Sequence, residues 1–162
     1  MRYTNENGEL PDELNLIIHD LDKIEQFVRE FHSLDLLADY KELIFHWANA
    51  DHLKAAIREL AKERDSASAY RSLTAFSAYS SRLDSLTAQV NISAGVEQII
   101  QTAANAWSGL ANQIQSVVKG ISSTLFQFIS QMLTPKEWSI SGELGVNVGI
   151  MTNAGIEITF GP

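Results

Sequence analysis

The chain has 162 residues, of which 20 are acidic and 12 basic, a formal net charge of −8, and no cysteine. The absence of cysteine excludes disulfides, thiolate catalysis and Cys-ligated zinc or iron–sulfur sites. The acidic excess argues against nucleic-acid binding, which needs cations to neutralise phosphates.

With 9 Gly and 3 Pro the composition is that of a globular chain, long enough for one domain with its own core. The opening residues, MRYTNENGEL, are polar and lack the basic-then-apolar order of a secretory signal. No run of about 18 uncharged apolar residues is present. The nearest candidate, 114–133, carries Lys119 and several Gln and Ser. The expected location is cytoplasmic, with membrane association only on activation.

Four regions are expected: a flexible N-terminus at 1–10, a charged helical region at 11–90, a long charge-poor amphipathic helix at 91–134, and a β-hairpin tail at 135–162. Charge divides the chain: residues 1–90 hold 16 of the 20 acids and 10 of the 12 bases. The remainder has only Glu97, Lys119, Lys136, Glu137, Glu143 and Glu157.

The first helix is expected from Pro11, with Asp12 and Glu13 in its first turn, where carboxylates suit the helix dipole. Leu14, Ile17, Ile18, Leu21, Ile24, Phe27, Val28 and Phe31 form one apolar stripe at three- and four-residue steps. Ser33 is a candidate N-cap for a second helix that buries Leu36, Leu37, Tyr40, Leu43, Ile44 and Trp47. Asn49–Asp51 reads as a turn, with Asp51 as the next cap. From His52 to Val90 the spacing stays helical, weakening over Arg64–Ser68, where a kink or break is expected. Asn91–Ser93 reads as a second turn.

A long helix follows over about 94–133. Ile100, Trp107, Ile114, Ile121 and Phe128 fall seven apart, with Ala103, Leu110, Val117 and Thr124 between them. At 1.5 Å per residue such a helix is roughly 60 Å long, with Gly109 and Gly120 as candidate bends. After Pro135 the period changes to two: Ile140, Gly142, Leu144, Val146, Val148 and Ile150 alternate with polar or glycine positions. Thr152–Gly155 is a turn cluster, and Ile156, Ile158 and Phe160 resume the alternation, the pattern of a hairpin. The expected fold class is therefore mainly α, with about four helices and a C-terminal β-hairpin.

Chemistry-bearing motifs are scarce. His19, His32, His46 and His52 have no metal-ligand spacing, and no nucleophile elbow, phosphate loop or dinucleotide fingerprint occurs. No cofactor and no catalytic residue is expected. Lys54, Arg58 and Lys62 share a helix edge with Glu59 and Glu63, which reads as a solvated face.

The strongest signal is the segment 94–133. One face is bulky (Ile100, Trp107, Leu110, Ile114, Val117, Val118, Ile121, Leu125, Phe128, Ile129) and the other is Ser, Gln, Asn, Thr and Gly. Such a face tolerates burial on both sides, because desolvating a charge costs far more than desolvating a serine. It also suits a membrane interface entered by apolar area alone. The candidate interface or membrane residues are Ile100, Trp107, Leu110, Ile114, Val117, Val118, Ile121, Leu125 and Phe128. On the hairpin they are Leu144, Val146, Val148, Ile150, Ile156, Ile158 and Phe160.

Two resemblances attach to these residues. Trp107-Ser108-Gly109 resembles the WxG motif of the small helical-hairpin substrates of type VII secretion, in which the motif sits in a turn. The C-terminal run Trp138-Ser-Ile-Ser-Gly-Glu-Leu-Gly-Val-Asn-Val-Gly-Ile and Ala154-Gly-Ile-Glu-Ile-Thr-Phe-Gly-Pro162 covers about 25 of 162 residues. It resembles the β tail of peptidase- or trypsin-co-occurring effector-associated modules of bacterial conflict systems. That resemblance implies a non-catalytic partner of a protease or signalling ATPase in antiphage defence. The expected function is a non-enzymatic assembly module, self-associating or bound to such a partner. A membrane-perturbing or pore-forming effector released by cleavage or oligomerisation is the alternative, and a WxG-like secreted protein a distant one.

Overall fold

The computed structural model describes residues 10–133 with their side chains and, beyond them, two stretches of extended backbone, Val146–Thr152 and Gly155–Phe160. Residues 10–133 form five α-helices: α1 Asp12–Arg29, α2 Ala38–Asn49, α3 Asp51–Glu63, α4 Ser66–Ser93 and α5 Gln98–Met132, with a short 3-10 turn, His32–Leu36, before α2.

Helix α1 forms as its stripe dictates. Leu14, Ile17, Leu21, Ile24 and Val28 are buried, and Ile18 and Phe27 are half-buried beside them. Pro11 precedes the first helical residue, where its missing N–H costs nothing. The turn between α2 and α3 is a single residue, Ala50, in the left-handed region at φ 56°. Asn49 Oδ1 accepts a hydrogen bond from the Asp51 N–H, an N-terminal donor that the helix cannot satisfy itself. The break expected near Arg64–Ser68 falls at Arg64 (φ 49°) and Asp65. There Asp65 Oδ1 accepts from the Ser68 N–H at 2.8 Å and the Asp65 N–H donates to Ser68 Oγ at 3.2 Å, a capping box that starts α4. These bonds, first that from the Ser68 N–H, hold the Asp65 carboxyl below the usual carboxylate range.

Helices α4 and α5 run antiparallel. Gln115 Nε2 donates to Asp84 at 2.7 Å, Trp107 Nε1 donates to Thr87 Oγ1 at 3.2 Å, and Asn91 and Ser108 pair at 3.1–3.2 Å. Helix α3 returns along α4, where Ser72 Oγ donates to the Ala56 carbonyl at 3.0 Å and Arg71 pairs with Glu59. Trp47 of α2 stacks on Tyr79 with ring centroids 4.6 Å apart and donates its Nε1–H to the Tyr79 carbonyl at 2.8 Å. One hydrophobic core draws on all five helices, with Trp107 and Phe76 its largest fully buried side chains.

The expected fold class is corrected by this architecture. The described body, residues 10–133, is helical throughout, with five α-helices and a 3-10 turn in place of about four helices. The extra helix arises because the capping box at Asp65 divides 51–93, a span without Pro or Gly, into α3 and α4. The hairpin expected at 135–162 falls outside the residues whose side chains are described, as does the N-terminus at 1–9, so neither enters the fold class. Boundaries shift as well. Helix α4 continues through the expected Asn91–Ser93 turn, and α5 begins at Gln98 and passes unbroken through Gly109 and Gly120. Among the described residues no helix is long and apolar enough to cross a membrane.

Candidate functional site

The bulky face of α5 is packed inside the protein. Trp107, Ile114, Val118, Ile121 and Leu125 are fully buried and Phe128 nearly so, while Ile100, Leu110 and Val117 are half-buried against the core. Phe31 lies against Trp107 with ring centroids 6.0 Å apart, and the Arg64 guanidinium sits 5.8 Å from the Phe128 ring. The burial expected of this face is real, but α1, α4 and the 3-10 turn supply it within one chain. The WxG-like tripeptide lies mid-helix in α5 with its indole in the core, not in a turn. The side chains of Leu144, Val146, Val148, Ile150, Ile156, Ile158 and Phe160 lie outside the described residues.

Among the described residues the most exposed aliphatic side chains gather at the end of the α4–α5 hairpin. The connection 94–97 carries Gly95 at φ 63°, a left-handed conformation that glycine adopts without strain. Around it Ile92 is 82% exposed, Val96 96% and Ile99 56%. Single exposed aliphatics are ordinary; three within eight residues at one tip are a patch. The surroundings are charge-poor: between Ser85 and Val118 the only ionisable side chain of the Asp, Glu, Lys or Arg type is Glu97. The tip is held in shape by amide and hydroxyl contacts. Gln101 Nε2 donates to the Gly95 carbonyl at 2.5 Å, and Tyr40 and Ser93 share a hydroxyl–hydroxyl hydrogen bond at 2.5 Å.

Beside the tip lies a cleft of about 210 Å³ between the start of α2 and the ends of α4 and α5. Its walls include Leu36, Leu37, Tyr40, Val90, Ala94 and Ile100. Leu36, expected to be buried, is 45% exposed at this rim because the 3-10 turn offsets it from the α2 stripe. Leu43, also expected inside, is exposed on the outer side of α2. Nothing marks Ile92, Val96 or Ile99 in the long pattern except that all three fall off the stripes that pack α4 and α5, which is the signal that identifies them.

Two further clefts lie between α2, α3 and α4. One of about 310 Å³ has alanines at its floor (Ala55, Ala56, Ala75, Ala78) and the Arg71–Glu59 pair at its edge. Its neighbour, about 340 Å³, shares His52 with it and adds His46, Arg82 and the Trp47–Tyr79 stack. The Thr74 and Tyr79 hydroxyls beside these clefts are buried and have no hydrogen-bond partner among the described residues. Burial pushes the Tyr79 phenol far above its ordinary range, and the Glu25 charge adds to the shift. Among the described residues no three His, Asp or Glu side chains come together to hold a metal. The basic edge of α3 is in part a paired face: Lys54 binds Asp22 at 2.6 Å. No protein-family model matches this chain, and neither a curated protein nor a solved structure does.

Proposed function

We propose that this protein is a non-enzymatic interaction module whose binding surface is the charge-poor end of the α4–α5 hairpin. The observation that carries this function is the exposure of Ile92, Val96 and Ile99 on a body whose other helix stripes are packed inward. Apolar side chains held in water on a rigid support gain free energy when a partner covers them, and the missing charges remove the desolvation cost of doing so. The partner is a protein, either another copy or a separate chain. A setting beside a protease or signalling ATPase in a bacterial defence system belongs to the same proposal; it rests on residues 138–162 alone, and a protease gene next to this one would support it.

A photo-crosslinking amino acid at position 96, compared with one at exposed Glu63, tests the surface in the source cell. A defined protein adduct at 96 that is absent at 63 supports the proposal. Equal labelling at both positions, or none at 96, refutes it.

A further inference from the structure

We draw no further inference here: the strongest candidate, the two adjoining clefts between α2, α3 and α4 beside the Trp47–Tyr79 stack, carries nothing, because an alanine floor and the start of α3 are not in themselves a site, Arg71 and Glu59 at the edge already pair with each other, and nothing in the structure shows what would fill the space.

Discussion

Replacing Ile121 by alanine asks whether the bulky face of α5 belongs to the fold or to an interface. The side chain is fully buried within the helical body. Truncation to alanine removes three carbons, each contributing about 0.8 kcal/mol of transfer free energy. The cavity left behind adds to that loss, because five packed helices relax only in part, so the expected destabilisation is about 2–5 kcal/mol. At roughly 2–4 °C per kcal/mol for a chain of this size, the thermal midpoint falls by about 5–15 °C. Urea unfolding followed by circular dichroism at 222 nm, at a concentration low enough to populate the monomer, reads the change in midpoint at constant slope. Val96→Ala, at an almost fully exposed site, is the control and is expected to change stability by less than about 0.5 kcal/mol. A loss below about 1 kcal/mol for Ile121→Ala in the monomer would refute the placement of this face in the core.

Asp65→Ala removes the cap of α4 and is expected to cost about 1 kcal/mol at neutral pH by denaturant melts. The carboxyl is depressed in the folded state, so its contribution is complete above the unfolded carboxylate pKa and is lost as pH falls through the folded one. The gap between wild type and Asp65→Asn therefore narrows on acidification, and a gap that widens would contradict the assignment. Gly109→Ala and Gly120→Ala, where an added Cβ meets nothing, are each expected to stabilise α5 by about 0.5–1 kcal/mol, whereas Gly95→Ala, at positive φ, is expected to destabilise. Differential scanning calorimetry of the three variants checks the contrast in sign. Tyr79→Phe deletes a buried hydroxyl that has no partner among the described residues, and its thermal midpoint is expected to hold or rise; a marked fall would mean that the hydroxyl is bonded.

Much of the helical body is legible in the residues alone, because periodicity is a local property. The α1 stripe, the heptad-like seam of α5 and the break near Asp65 each follow from spacing and capping chemistry within a few residues. The stop of α2 is legible from the Asn49–Asp51 turn composition, although the residue that takes the left-handed conformation there is an alanine and not a glycine. The end of α4 is misplaced: Asn91–Ser93 has turn composition, but tertiary contacts at Tyr40 and Ser108 hold those residues helical. The candidate surface is missed altogether by patterning. Ile92, Val96 and Ile99 stand out only once the rest of the apolar residues have been assigned to a core.

The charge division reads as a surface to be covered, and within the described residues the fold covers only its bulky face. A stretch with one charged residue between Ser85 and Val118 could be covered at low cost, because uncharged polar groups desolvate more cheaply than charges, yet most of its Ser, Gln and Asn residues stay exposed. Composition cannot say whether the cover comes from the same chain, another chain or lipid, since all three remove the same apolar area from water. The tertiary structure decided it for the bulky face: α1 and α4 cover α5 at Trp107, Ile114, Val118 and Ile121, while Ile92, Val96 and Ile99 at the tip stay exposed. Which face is amphipathic is set by side-chain spacing; which part of it stays in water is set by how long helices meet and where they end.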